Sequence, residues 1–374
     1  MIDFSLSEEI DELYSICNKF SSKAFSINQD SSHYDKVWDS NIHNSYCNLG
    51  ISSLLLRSDL GGDFNPGAVV AAFSALSAGD ISGIIRHEIS IPISPIINVL
   101  ETKNTTHNLV VPSNIPAKQI GNPVFRVAFV KALNKDVDDS QIQKWLPGDV
   151  GEWNVDNKET MKSNLYVVGL DFMAVIGSDK IVASQVNCGG IQTAGGIRVE
   201  FSLKDANFHV PISLEEGLYI RTLIRLWISA MLLGLADAAS EYGIKYGLER
   251  MVFDKPILGH QANAFAMSSA VTNLESCRLA LYMGSSIIEE SPRVEQQYGM
   301  WLVNQSYMKL CEVSPGIIDL TLQLLGGHGY MKDHPVERWW RESFDVTCLF
   351  GARASCHDDL LSFSNMSTDW LEWL

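Results

Sequence analysis

The sequence predicts an α+β fold that is mostly helical, with helical domains at both ends and a small β-domain between them. Long apolar runs with helical spacing occupy residues 1–118 and 212–374. Residues 119–211 instead contain short β-branched or alternating runs separated by Gly, Asn and Asp. We therefore expect an N-terminal helical domain (1–118), a middle β-barrel or sheet domain (119–211) and a C-terminal four-helix bundle (212–374).

In the N-terminal domain, two capping patterns predict where helices begin. Ser5 and Glu8 have the spacing of a capping box and precede apolar residues on one helical face. Asn65 can cap a second helix, with Pro66 in its first turn. A cluster of prolines at 112–116 predicts the exit from this domain, near residue 118.

The middle domain is expected to be a small antiparallel sheet or barrel. Its predicted strands lie at 123–130, 165–170, 173–176, 180–185 and 198–203. Trp145 and Trp153 flank a stretch that we interpret as a polar loop.

In the C-terminal domain, Ser213 and Glu216 form a second capping-box pattern, at the start of a proline-free run to Arg250. Further helices are predicted at 261–290 and 294–313, the latter ended by residues 314–316 (Ser-Pro-Gly). A helical run up to Leu325 then breaks at Gly326 and Gly327, which permit a positive-φ helix end.

The composition is that of an ordinary globular protein and excludes several classes of partner. The chain has 374 residues, 46% hydrophobic and 19% charged, with a net charge of −16. This acidity argues against general binding to nucleic acid or anionic membranes. Residues 1–25 lack the basic end of a signal peptide, and we see no membrane span. Seven cysteines without CxxC pairs predict a reduced, cytoplasmic protein with no metal site.

Two segments carry a more specific signal. Residues 323–342 read QLLGGHGYMKDHPVERWWRE, and residues 250–261 read RMVFDKPILGHQ. The first resembles, almost position for position, the C-terminal signature of the acyl-CoA dehydrogenase flavoproteins. The second resembles that family's Arg-x-x-Phe-Gly-Lys-Pro-Ile…Gln turn, with Asp254 where Gly is usual.

The resemblance implies a mode of FAD binding. It assigns cofactor contacts to Arg250, Phe253, His260, Gln261, Gln323, Gly326 and Gly327. An Arg fork suits a diphosphate, and an aromatic ring can pack on the cofactor. In the family the two segments come from different subunits and close over one FAD. We therefore expect a homo-oligomer, or a hetero-oligomer with a related dehydrogenase chain.

The same resemblance locates the catalytic base, and the expected carboxylate is missing. The family's commonest base is a Glu in the turn after the 336–342 helix, and the ungapped match places Phe350 there. An alternative family position, early in the long helix before the 250–261 turn, corresponds to Ile224. Neither side chain can accept a proton. Other titratable groups near the turn or the double glycine are His328, Cys348, Cys356, His357, Asp358 and Asp359. The two cysteines are interpreted as inert buried thiols.

The middle domain departs further from the family. Its Thr-Glu-Pro-type loop and Trp-Ile-Thr-type strand, which lie against the flavin ring in the family, have no counterpart in this sequence. Three functions therefore stay open. The first is an FAD-dependent oxidoreductase acting on an acyl thioester of CoA or an acyl carrier protein, with atypical or lost α,β-dehydrogenation. The second is a non-catalytic subunit that completes the FAD site of a heteromeric dehydrogenase. The third is a flavin-free binding scaffold.

Overall fold

The computed structural model describes residues 7–25, 40–88, 90–102, 126–130, 142–147, 164–191, 194–290 and 293–363. Within them, the helices are α1 (Glu8–Ala24), α2 (Ser40–Cys47), α3 (Pro66–His87), α4 (Ser90–Thr102), α5 (Leu214–Glu249), α6 (Gln261–Glu290), α7 (Arg293–Leu325), α8 (Val336–Thr347) and α9 (Ala352–Phe363). The strands are β1 (Arg126–Phe129), β2 (Ile142–Pro147), β3 (Asn164–Val168), β4 (Phe172–Gly177), β5 (Val182–Val186), β6 (Gly196–Phe201), β7 (Phe208–Pro211), β8 (Met251–Val252) and β9 (Lys255–Pro256). The fold is α+β and mostly helical, as predicted. The boundary expected near residue 118 lies outside the described residues.

One predicted helix start in the N-terminal domain is confirmed, and the other involves a residue outside the described part of the chain. The cap of α1 is Ser7, whose Oγ accepts from the Ile10 amide at 3.4 Å, whereas Ser5 of the predicted capping box lies outside the described residues. With Ser7 as the cap, Glu8, Glu9 and Asp11 all fall in the first turn, where the helix dipole favours them. In α3, Asn65 Oδ1 accepts from the Ala68 amide at 2.7 Å, as expected of a cap.

The described strands of the middle domain form two sheets. Sheet A has the order β1-β3-β4-β7, and sheet B has the order β2-β6-β5. All neighbours are antiparallel except β1 and β3, which run parallel because the chain enters sheet B through β2 between them. The expected all-antiparallel arrangement is therefore wrong for that pair. Trp145 belongs to strand β2 and does not edge a loop, whereas Trp153 and residues 123–125 lie outside the described residues.

Sheet A has two buried faces. One packs against sheet B through residues that include Phe172, Val199 and Phe201. The other packs against α4 and α5 through an apolar cluster to which Ile96 and Ile220 contribute. This second face positions the predicted reaction site, because the helix that carries Ile224 lies directly on it.

Helix α5 is the centre of the helical region. Its predicted capping box is confirmed, with the Glu216 amide donating to Ser213 Oγ at 3.1 Å and the Ser213 amide donating to Glu216 Oε2 at 2.7 Å.

Two segments, Pro66–Arg86 and Leu214–Glu249, could span a membrane by length and composition alone, but 89% and 94% of their apolar windows are buried inside the fold. Both are core helices of this structure.

Helix α7 does not end at Pro315, contrary to the prediction. It continues to Leu325 with Pro315 in its interior. Side-chain bonds to α5 hold it on both sides of the proline, since Ser314 Oγ donates to the Leu232 carbonyl at 2.8 Å and Thr321 Oγ1 to the Ala239 carbonyl at 3.0 Å. Packing along α5 thus outweighs the hydrogen bond that proline removes. The predicted α6 bounds and the helix end before Gly326 are confirmed.

We predict that Gly234→Ala destabilises the fold. A Cβ on Gly234 would lie 2.0 Å from the Ser74 carbonyl oxygen, so α3 and α5 would have to separate. Overpacking of this kind costs about 1–3 kcal/mol, measured as the free energy of unfolding in urea. The matched control is Gly316→Ala, in an exposed part of α7 with nothing within 4 Å of the added Cβ. It should be neutral or stabilising by up to about 1 kcal/mol. Equal effects of the two changes would contradict the close packing.

Candidate functional site

The turn between α5 and α6 presents the first group of predicted cofactor residues. Strands β8 and β9 form a tight hairpin, with Phe253 (φ 51°) and Asp254 (φ 63°) between them. Asp tolerates this left-handed conformation, but a bulky aromatic residue rarely adopts it. The Phe253 side chain is also 87% exposed. A strained, exposed aromatic residue with little packing of its own is the kind of outlier that indicates a functional surface.

The other predicted residues of this turn surround Phe253. Arg250 ends α5, and its exposed side chain lies at the base of the hairpin. His260 braces the hairpin, because its Nε2 lies 3.1 Å from the Val252 carbonyl oxygen. Gln261 is exposed at the first residue of α6. A cation, an aromatic face and an amide are therefore presented to solvent together.

The double-glycine corner carries the second group. Gln323 is exposed in the last turn of α7, and Gly326 has the predicted positive φ, +57°. A Cβ on either Gly326 or Gly327 would meet nothing within 4 Å. The backbone of this corner is therefore open to close approach by a ligand or a second chain.

Tyrosine and histidine side chains bring the two groups to the same end of the helices. The Tyr246 hydroxyl, one turn before Arg250, lies 2.9 Å from His328 Nδ1, directly after the double glycine. One turn earlier, the Tyr242 hydroxyl lies 2.5 Å from His334 Nδ1. The two histidine rings stack with their centroids 5.5 Å apart. All seven predicted cofactor residues thus lie on one exposed end of a single chain.

Both candidate base positions are packed in an apolar environment. Ile224 is fully buried against sheet A. Phe350 lies in a turn with positive φ at three successive residues, 350 to 352, and its ring centroid is 5.4 Å from that of Phe129. Between α4 and sheet A, the residual void is only about 10 Å³, lined by Ile96, Met173 and other apolar residues. In the described part of the chain, α4 therefore packs closely on sheet A.

The titratable groups near the Phe350 turn differ in how far they are buried. Cys356 is buried, and burial raises the pKa of its thiol to about 11, so it is inert as predicted. Cys348 is exposed, which corrects the expectation of a buried thiol. His357 is exposed as well, whereas Asp359 is fully buried. No three His, Cys, Asp or Glu side chains form a metal-binding group in the ranges that the structure describes.

A buried ionic cluster beside the turn was not anticipated from the sequence. Asp359 Oδ2 pairs with Arg221 Nε at 2.7 Å and with Arg225 Nη2 at 2.6 Å, and all three side chains are at most 2% exposed. The Arg221 guanidinium also lies 4.6 Å from the centre of the Phe129 ring. The available signal was two arginines four residues apart within an otherwise apolar helical run, which places them on one face of α5.

Comparison with known proteins agrees with this architecture. Residues 222–354 match the family model of the acyl-CoA dehydrogenase C-terminal domain. The caffeyl-CoA reductase–Etf complex subunit CarC of Acetobacterium woodii is 31% identical over 118 residues, which span 32% of this chain and only 30% of CarC. The butyryl-CoA dehydrogenase of Megasphaera elsdenii superimposes with a TM-score of 0.68 at 15% identity, covering 96% of this chain and 99% of that one. A chain of the ChsE4–ChsE5 complex from Mycobacterium tuberculosis gives a TM-score of 0.67 at 14% identity, covering 98% and 100%.

The helix–sheet–helix architecture is the fold of the acyl-CoA dehydrogenases with which the chain superimposes. Residues 222–354 form an acyl-CoA dehydrogenase C-terminal domain, and the proteins of that family are FAD-binding flavoproteins. The residues present fit the dinucleotide part of FAD at the exposed end of the helices.

We predict that Asp359→Asn strongly destabilises the chain. The change leaves two buried guanidinium groups without their shared negative charge, and breaking a buried pair in this way costs about 3–5 kcal/mol. The measurement is the free energy of unfolding in urea. Asp319→Asn is the control, because it removes the same charge from an exposed position on α7. Its cost should stay below about 1 kcal/mol. Equal losses would show that the cluster contributes nothing specific.

Proposed function

We propose that this chain is a subunit of a heteromeric acyl-CoA dehydrogenase-type oxidoreductase and has no dehydrogenation centre of its own. One contrast carries the proposal. An apolar side chain, Phe350 packed on Phe129, stands at the base position, while the candidate dinucleotide-binding residues around Arg250 and Gly327 are exposed. A chain arranged in this way can complete a cofactor site whose other residues belong to a related partner chain.

In that assembly the exposed end of the helices would hold part of the FAD. The Arg250 guanidinium would pair with the diphosphate, Phe253 would pack against the cofactor, and Gln261 and Gln323 would donate hydrogen bonds. The open backbone at Gly326 and Gly327 would allow close approach. When bound, FAD supplies a hydride acceptor. This chain's own residues bind and orient the dinucleotide and exclude water from it.

The substrate and the base would belong to the partner. We infer an acyl thioester of CoA or an acyl carrier protein as the substrate class, since two of the curated relatives are named as an acryloyl-CoA reductase and a cyclohexane-1-carbonyl-CoA dehydrogenase. Proton abstraction needs a positioned base, typically contributing about 10²–10⁴-fold, and neither Ile224 nor Phe350 can be one. All seven cysteines are free thiols, and we infer a reduced, cytoplasmic location.

A second candidate function is a catalytic FAD-dependent oxidoreductase that uses chemistry other than α-proton abstraction. One observation favours it, a cavity of about 350 Å³ that opens beside Gly351, next to the vacated base position. Purification separates the two candidates. A yellow protein with about one FAD per chain, obtained without any partner, would support the catalytic reading and overturn the subunit proposal.

We predict that Arg250→Gln lowers the flavin content of the assembly, measured as FAD per chain after co-expression with a related dehydrogenase chain. Loss of one charge-assisted diphosphate contact removes about 1.5–3 kcal/mol of binding, which is roughly a ten- to hundredfold weaker affinity. The control is Arg198→Gln, which removes an exposed arginine from sheet B. Equal flavin contents in the two variants would exclude Arg250 from the cofactor site.

We also predict that Phe350→Glu does not restore acyl-CoA oxidation, assayed by the bleaching of bound flavin with a panel of acyl thioesters. A carboxylate alone does not rebuild the site, because the Thr-Glu-Pro-type loop and Trp-Ile-Thr-type strand that contact the flavin ring in the family have no counterpart in this sequence. The change also removes the packing of the half-buried Phe350 ring on Phe129. Phe350→Leu is the control for loss of the ring. Dehydrogenation by Phe350→Glu alone would show that only the base is missing and would contradict the proposal.

A further inference from the structure

A cavity separate from the packed face of sheet A lies on the far side of Phe129. Its volume is about 350 Å³, within the range of small-molecule sites. It is lined by strands β1 and β2, the first turns of α5, the turn at Gly351 and helix α9. The apolar part of its wall comes from Phe129, Leu170 and Leu361.

Charged side chains form the polar part of the wall. Two cations, Lys144 and Arg221, and two carboxylates, Asp358 and Asp359, line the cavity. Asp359 is shared by Arg221 and by Arg225, which lies outside the lining, so this buried cluster of two arginines and one carboxylate carries one net positive charge. This local excess occurs in a chain whose net charge is −16.

Most donors of Arg221 are already used within the chain, since four of its five N–H groups have partners. Its Nε donates to Asp359, its Nη1 to the carbonyls of Val130 and Val168 at 3.2 Å, and its Nη2 to Ser355 Oγ at 2.9 Å. Its role is to fix the positive potential of the wall and to hold Ser355 in place.

Two donors on the cavity wall remain available. The Lys144 ammonium is half-buried and makes no hydrogen bond or ion pair with any residue that the structure describes. Burial lowers the pKa of Lys144, and the nearby Arg221 lowers it further, so an anion beside it would be stabilised. Ser355 Oγ accepts from both Arg221 and Arg225, at 2.9 and 3.1 Å, which leaves its own hydroxyl proton free to donate.

We propose that this cavity binds a small organic acid, with its carboxylate on the Lys144 ammonium and the Ser355 hydroxyl and its aliphatic body against Phe129, Leu170 and Leu361. The Lys144 ammonium favours a ligand with a negative charge over a neutral one. The apolar wall supplies the affinity for the hydrocarbon part. The site involves none of the residues proposed to hold FAD, so its test is independent of the proposed function.

The experiment titrates the full-length chain with hexanoate and, separately, with 1-hexanol, by isothermal titration calorimetry. Hexanoate should bind at one saturable site, at least about tenfold tighter than the neutral alcohol, because a charge-assisted hydrogen bond contributes that much. Lys144→Gln should weaken hexanoate by about tenfold or more and leave 1-hexanol unchanged, whereas Lys144→Arg should retain most of the hexanoate affinity.

Lys245→Gln is the matched control, since Lys245 is exposed on α5 about 36 Å along the helix from Arg221, at 1.5 Å per residue. It should bind hexanoate as the wild type does. Equal affinity for hexanoate and 1-hexanol, or hexanoate binding that Lys144→Gln leaves intact, would overturn the proposal. If Lys144→Gln fails to fold, the comparison of hexanoate with 1-hexanol in the wild-type chain tests the proposal without the variant.

Discussion

The guanidinium of Arg221 joins the three parts of the chain that meet at the predicted reaction site. It belongs to α5, donates to main-chain carbonyls at the ends of β1 and β3, and pairs with Asp359 of α9. Buried charge pairs are stable only when geometry and hydrogen bonds compensate for desolvation. Here four of the five N–H donors of Arg221 have partners, so the relative positions of the sheet, the central helix and the last helix are fixed together.

The same cluster explains why the turn at Phe350 suits an aromatic side chain better than a base. Arg221 lies over Phe129, and Phe129 packs on Phe350, so the turn is held by cation–π and aromatic contacts. A carboxylate at position 350 would lie near two guanidinium groups that share one partner. Such neighbours lower the pKa of a carboxyl group and weaken it as a proton acceptor. The arginine cluster and a general base at this turn therefore work against each other.

Much of the helical architecture could be predicted from the sequence, because local signals and tertiary packing agree there. The Ser213 capping box, the bounds of α6 and the positive φ of Gly326 follow from short-range chemistry. The continuation of α7 through Pro315 could not, since it depends on side-chain bonds to α5 that lie far away in sequence. The Arg221–Asp359 pair joins residues 138 positions apart and carries no local signature. The candidate cofactor residues rest on the resemblance to the family and stay a prediction, whereas the close packing of α4 on sheet A could be seen only in the folded structure.

The exposed end of the helices carries a strained residue, Phe253. A positive φ at Phe253 is strained, and such strain costs of the order of 1–3 kcal/mol unless its surroundings determine it. The exposed aromatic ring gains little from its own chain in return. The Phe350 turn is different, because its positive φ values are accompanied by packing on Phe129 within the chain. The backbone strain at Phe253, unlike that at Phe350, is therefore not offset by packing of its ring within the chain. A dinucleotide held against a neighbouring subunit would bury Phe253, pair Arg250 and use the open glycine backbone at once, whereas a reaction within this chain would use none of them.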